Sequence, residues 1–343
     1  MKAAILNLPA RLKQHWFLVG LLVLIPLGLT LGGSAKSAVA ERLVDSLPTA
    51  WCTATILFLM SVTLDSGRLW DSLRRPWPVL TACIVNQLVI PLLALPLLLL
   101  QKSDDLKVGL LIAAAVPCTM AAASVWTRRA GGNDAVSLLV TLLTNGLCFL
   151  VTPAWLSFGT RWFGTVGPDN GLQFGTMVAS LTLAALIPAA TGQLLRLSRR
   201  ARLFVDQKKS CLSTLAQCII LTLVFVSAFR GGRKFGADTM SADQLRHSEF
   251  ALVWACCIGL HLAAMLVAWW TTGLTRFTTD DRFACVIAGS QKTLPIGILV
   301  SQSTGMPFSL MPMLMYHASQ LFIDTWIADR MKASLVKVDY ENT

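Results

Sequence analysis

The chain has 343 residues, 55% of them hydrophobic and only 14% charged, with a formal charge of +11. Its mean hydropathy is +0.63. A soluble domain carries roughly 25% charged residues, so a soluble globular protein is excluded, and the same hydrophobicity excludes a disordered one.

Ten apolar runs approach the ~20 residues that a helix needs to span a bilayer. Their approximate limits are 16–33, 48–65, 79–100, 108–127, 135–157, 173–195, 212–229, 248–272, 283–303 and 308–328. Backbone groups in lipid must find partners within the segment, so these runs are expected to be helices. The first follows Lys2, Arg11 and Lys13 and precedes Ala38-Val39-Ala40, the pattern of a secretory signal. Its near-spanning length instead makes it a retained first helix. Asp65 ends run 2 at the membrane surface. Run 3 holds Asn86 and Gln87 shortly before Pro91.

Run 4 is interrupted at Val116-Pro117-Cys118, and run 9 at Gln291-Lys292-Thr293-Leu294-Pro295. Proline removes a backbone donor and clashes with the preceding turn. Carbonyls freed at mid-membrane must face protein, water or an ion. Broken helices at matching positions of two halves point to a transport site. Lys292 sharpens that reading, because a mid-membrane lysine costs roughly 2.5–3.5 kcal/mol on insertion scales. It persists only beside a cavity, a carboxylate, a carbonyl or an anionic substrate.

On run 5, Ser137, Thr141 and Asn145 lie four residues apart on one helix face. Their oxygens suit sodium, and equally suit hydrogen bonds between helices. The six basic residues from Arg196 to Lys209 are expected in a loop after run 6. His261 on run 8 is expected to be a hydrogen-bonded core residue. On run 10, Tyr316, Gln320 and Asp324 share a face with His317 alongside; Asp324 either pairs with a base or lies at the cytoplasmic boundary as a solvated charge, with the boundary the slightly favoured place.

With the amino terminus in the cytoplasm, 19 of the 29 Lys/Arg fall on the cytoplasmic side and 9 on the other. The positive-inside rule therefore puts both termini in the cytoplasm. The basic residues sit between apolar runs, so anionic lipid rather than nucleic acid is their partner. Five runs per half would set the second half upside down, as in an inverted repeat. Residues 1–200 would hold the first repeat (runs 1–5, about 16–157) with run 6 (about 173–195), and 201–343 would hold runs 7–10. Of nine cysteines, eight lie in apolar runs and none forms C-x-x-C, so neither zinc nor redox chemistry is indicated. Phosphate-loop, zinc-protease and nucleophile-elbow motifs are absent, against both an ATP-driven pump and an enzyme.

Four stretches carry a resemblance: His15–Gly20, Arg129-Ala130-Gly131-Gly132-Asn133-Asp134, Gln291–Gly297, and Met315-Tyr316-His317-Ala318-Ser319-Gln320. Through them the chain resembles the bile acid:sodium symporter family over nearly its whole length. The resemblance implies an all-α polytopic membrane protein, ten helices in a 5+5 inverted repeat. Discontinuous helices 4 and 9 would cross within a core domain (helices 3–5 and 8–10), beside a panel domain (helices 1, 2, 6 and 7). It also implies two sodium ions near that crossing and an organic anion in the crevice between domains. The family's sodium ligands match Ser137, Thr141 and Gln291, with Ser124 beside a position otherwise lost to alanine. Its shared glutamate falls on Ile287, which cannot ligate an ion, and its next asparagine falls on Lys292.

The expected function is thus secondary active transport of a small organic anion by alternating access in the plasma (inner) membrane. Sodium or protons are the possible coupling ions, and no other cofactor is implied. Candidate substrate-binding residues are Lys292, Gln291, Thr293, Asn86, Gln87, His317 and Gln320. Candidate ion-binding residues are Ser137, Thr141, Gln291, Ser124 and Asn145. Lys292 is expected to take the place of one sodium ion. The competing readings are a non-transporting regulator of ion homeostasis and a membrane-embedded enzyme. Oligomeric state carries no sequence signal.

Overall fold

The computed structural model describes residues 16–34, 42, 44, 46–64, 76–120, 122–163, 174–237, 247–275, 277–306 and 308–341. The expectations for Lys2, Arg11, Lys13, Ala38-Val39-Ala40 and Asp65 lie outside these residues. Among the described residues all regular structure is helical. In chain order come α1 (Trp16–Ser34), α2 (Thr49–Val62) and α3 (Pro76–Leu98), then a broken pair, α4a (Asp104–Ala115) and α4b (Ala122–Ala130). Next are α5 (Asp134–Phe163), α6 (Phe174–Leu197), α7 (Arg199–Ala237) and α8 (His247–Leu274). A second broken pair, α9a (Thr279–Ser290) and α9b (Leu294–Ser303), leads into α10 (Met311–Glu341).

Six spans are long and apolar enough to cross a membrane: α3, α5, α6, most of α7, α8, and α9a–α9b taken together. The apolar stretch of the α9 pair is wholly inside the protein, whereas that of α6 is mostly on the outside. Large apolar side chains such as Trp162, Leu183, Trp270 and Leu274 are exposed, as lipid-facing helices require. The protein is an integral, multi-pass membrane protein.

Two sets of contacts organise the helices. α7 runs along α1 and also packs on α2, which lies against α6. Separately, α9a packs on α3, α5 and α8, while α10 packs on α4a, α4b and α8. The first set relies on glycine: a Cβ on Gly32 would collide with the Phe229 carbonyl, and one on Gly232 with the Leu29 carbonyl, so the α1 and α7 backbones touch.

The expected basic loop at 196–209 is corrected. Only Ser198, in an extended conformation, separates α6 from α7. Arginine and lysine are good helix formers, so this charged stretch extends α7 towards its N-terminus past the apolar run. Buried Arg196 fixes the corner: one guanidinium nitrogen donates to Val62 O and to Asp206 Oδ1, both at 2.9 Å.

The Gly131-Gly132 pair ends α4b. Gly131 has φ +80°, a conformation that glycine adopts without cost. Gly132 N–H reaches Thr127 O at 2.8 Å and Gly131 N–H reaches Arg128 O at 3.1 Å, satisfying the last carbonyls of the helix. Asn133 then donates to Asp280 O through its backbone and to Asp281 Oδ1 through its side chain, at 2.9 and 2.8 Å. The turn thereby joins the end of α4b to the start of α9a.

Candidate functional site

The two breaks meet at the centre of the second helix set. Thr293 N–H donates to Pro117 O at 2.9 Å, backbone to backbone. A helix end leaves its last carbonyls without partners, and here side chains from neighbouring helices supply them.

At the α4 break the donors come mainly from α5. Thr152 Oγ1 donates to Ala115 O, Asn145 Nδ2 to Cys118 O, and Thr141 Oγ1 to Thr119 O, at 2.9, 2.8 and 3.2 Å. Thr144 Oγ1 accepts from Cys118 N–H at 3.3 Å. Of the candidate ion-binding residues, Thr141 and Asn145 thus hold the break. Ser137 Oγ pairs with Thr127 Oγ1 at 2.6 Å. Ser124 lines a cavity of about 300 Å³ near Arg128 and Lys209.

At the α9 break the donors come from three helices. Asn86 Nδ2 on α3 reaches Gln291 O at 2.8 Å and Gly289 O at 3.2 Å. Tyr316 of α10 donates to Ser290 O at 2.8 Å, and His261 Nδ1 of α8 lies 3.2 Å from the same oxygen. Gln320 clasps Lys292 on both sides of its backbone, accepting from N–H at 2.9 Å and donating to C=O at 3.0 Å.

Asp324 is corrected from a boundary charge to a fully buried one. Its Oδ1 lies 2.9 Å from His261 Nε2, and its Oδ2 accepts from Gln291 Nε2. The two ring nitrogens of His261 thus bridge the end of α9a, at Ser290 O, to Asp324 on α10. Sequence reading placed Asp324 on a shared face with Tyr316 and Gln320; only the packing of α8 against α10 reveals its partner.

Lys292 is fully buried. Its Nζ donates to Asn86 O at 2.6 Å, Val116 O at 2.8 Å and Asn86 Oδ1 at 3.3 Å. Gln87 Nε2 donates to Thr144 O at 3.2 Å. Gln291 Oε1, Thr293 Oγ1 and Asn145 Oδ1 are buried with no hydrogen-bond partner. Ile287, at the position matched to the family's glutamate, packs among Ala130, Phe283 and Ala328.

A cavity of about 380 Å³ separates the two helix sets. From one side Phe17, Met60, Gln217 and Ile220 line it; from the other come Thr119, Ala122, Trp126, Arg129, Leu294, Pro295 and His317. The first residues of both α4b and α9b are in this wall. Thr293 makes no side-chain cap on α9b. Of the candidate substrate-binding residues, His317 lines this cavity. Lys292, Gln291, Asn86 and Gln320 form the buried network behind it. At the far end the helix sets touch: Gln302 Nε2 of α9b donates to Ser227 Oγ of α7 at 3.2 Å.

Discontinuous helices meeting inside a bundle of membrane-length helices define a polytopic transporter. The chain belongs to the SBF-like CPA transporter family, whose pattern matches residues 15–333. It is 24% identical to sodium/bile acid cotransporter 7 of Xenopus tropicalis, across 96% of this chain and 97% of that protein. It is 22% identical to sodium/bile acid cotransporter 7 of Rattus norvegicus, across 96% of each. It is 24% identical to the probable sodium/metabolite cotransporter BASS4, chloroplastic, of Arabidopsis thaliana, across 80% of this chain and 63% of that protein. These names are those of cotransporters, not enzymes.

Proposed function

We propose that the protein moves an amphipathic organic anion across the membrane by alternating access. The observation that carries this reading is the shared cavity: the N-termini of α4b and α9b both enter one apolar-walled crevice. Helix N-termini present unpaired N–H groups and positive dipole ends. The aromatic and aliphatic walls complement the non-polar body of such a solute. The names of the relatives, with their bile acids and metabolites, support the same solute class.

In this reading α1, α2, α6 and α7 form a panel domain, and α3–α5 with α8–α10 form a core domain, arranged as a 5+5 inverted repeat. Arg129 lines the crevice, and Arg128 and Lys209 line the smaller cavity that shares Met60, Val125 and Ser213 with it; the positive-inside rule assigns all three charges to the cytoplasm. The bond from Gln302 to Ser227 closes the opposite side. Rocking of core against panel would break that bond and close the crevice. Both termini would be cytoplasmic, in the plasma (inner) membrane. Coupling is to a sodium ion or a proton. Ser137 and Thr141 bond to Thr127 and Thr119 O yet keep oxygen lone pairs that can ligate a cation, but no carboxylate replaces the glutamate at Ile287. The missing carboxylate supports a reading with at most one sodium ion.

The test is uptake of amphipathic anions, a bile acid among them, by proteoliposomes under separate sodium and proton gradients. The expected result is saturable uptake, abolished when Leu294→Trp fills the crevice. A Gln302→Cys/Ser227→Cys pair should stop uptake when crosslinked and restore it on reduction. Uptake of no anion under either gradient, from folded protein, would favour the non-transporting regulator.

A further inference from the structure

Two of the three oxygens around Lys292 Nζ, Asn86 O and Val116 O, lack a partner within their own helix for reasons written into the backbone. Residues 85–89 of α3 form a π-helical turn. In it Ile90 N–H bonds Val85 O rather than Asn86 O, and Pro91 has no N–H to offer Asn86 in turn. The Asn86 carbonyl therefore has no partner within its own helix. Val116 O is freed in the same way, because α4a ends at Ala115. Three carbonyl oxygens, two from α3 and one from the α4 break, thus converge on one point in a fully buried region.

All three oxygens accept from Nζ. An ammonium has three N–H donors to meet them. A neutral amine would aim its lone pair at one of them, so the charged form fits. Carbonyl cages of this kind replace the hydration shell of a small cation.

We propose that these oxygens are a monovalent-cation site which the chain fills with its own lysine. Lys292 is a built-in cation that ties α3, α4 and α9 together. The wild-type crossing needs no dissolved ion at this point, and deleting the side chain turns the cage into a binding site for one. This extends the transporter reading to the chemistry of the crossing, but it is measured by stability, so either can fail alone.

The experiment compares the full-length wild type with Lys292→Ala in detergent, at equal ionic strength. Thermal midpoints are read in choline chloride, sodium chloride, potassium chloride and propylammonium chloride. Propylammonium is the group the substitution removes beyond Cβ. A ligand that binds only the folded state raises the midpoint. The expected result is a variant melting well below wild type in choline and regaining several degrees in propylammonium and in sodium or potassium. Propanol at the same concentration should not replace them. A cation response no larger than that of the wild type, or equal rescue by propanol, overturns the proposal. If Lys292→Ala does not fold in any salt, the double variant Asn86→Asp/Lys292→Ala is used. It supplies a carboxylate to the empty cage and should gain a sodium- or potassium-dependent midpoint; a midpoint identical in choline overturns the proposal equally.

Discussion

The α4 break is served chiefly by one helix and by neutral groups, the hydroxyls of Thr141 and Thr152 and the amide of Asn145 on α5. The α9 break is fastened from α3, α8 and α10 at once, and the ionisable side chains of the crossing gather around it: Lys292, His261, Asp324 and Tyr316. The carbonyls of Ala288, Gly289, Ser290 and Gln291 are thus held from α3, α8 and α10. α4b packs on α5, α9a and α10 but buries only Ala123, Ser124, Thr127 and Ala130, whereas α9b is buried from Leu294 to Ser301. The difference teaches that the two interruptions are not mechanical equivalents. The denser fastening and burial at α9 lead to the expectation that its crossing is the stiffer one and that α4b is the half-helix more able to move.

The strongest way to break that comparison is to remove Asn86, which serves the α9 break. Asn86→Leu deletes the donor to Gln291 O and Gly289 O and one oxygen of the Lys292 cage. Buried carbonyls left without partners cost about 1–3 kcal/mol each, so a loss of about 2–4 kcal/mol is expected in reversible denaturation in detergent. A cost near zero would mean that α9 is not held by α3.

Asn145→Leu is the matching change at the α4 break. It removes donors to Cys118 O and Thr141 O, both at 2.8 Å. Hydrogen bonds between membrane helices average about 0.6 kcal/mol and reach about 1.7, and the Thr141 carbonyl keeps a bond from Thr144. A loss of about 1–2 kcal/mol is expected, smaller than for Asn86→Leu. Equal losses would erase the asymmetry between the breaks. Hydrogen exchange sharpens the same point: amides of α4b should exchange faster than those of α9b in either background.

How far this could be read from the chain depends on whether a signal is local. Apolar length and flanking charge are local, so the helices were legible, as were both interruptions through Pro117 and Pro295. The α6–α7 corner was not, because a basic stretch reads as a loop until Arg196 finds Val62 O and Asp206. Asp324 was misread for a related reason: its acceptability in the interior is decided by His261, which lies 63 residues earlier. Lys292 was singled out correctly as the residue in need of partners. Its partners were hidden, since a π-helical turn at 85–89 is a property of how α3 packs, and Asn86-Gln87 gives no sign of it. The resemblance to the symporter family supplied the crossing itself, which no periodicity in this chain reveals.

The smallest effect is expected at the rim, where α4b meets α10. Arg129 donates to Asp329 with both arms, at 2.7 and 2.9 Å, beyond the apolar run and largely in solvent. The hydrogen bond from Arg129 holds the Asp329 carboxyl below its usual range, with a further contribution from the charge on Lys332. A carboxyl with a lowered folded-state pKa stabilises the protein above its unfolded value, and that stabilisation is lost as pH falls through the folded value. Exposed pairs are weak and screened by salt. Asp329→Asn should therefore lower the melting midpoint by only about 1 °C near pH 7. The difference should vanish in strong acid and shrink at high salt. A shift as large as that of Asn145→Leu would mean that α4b is held at its rim as firmly as at its break. The mobility assigned to α4b would then belong elsewhere in the core.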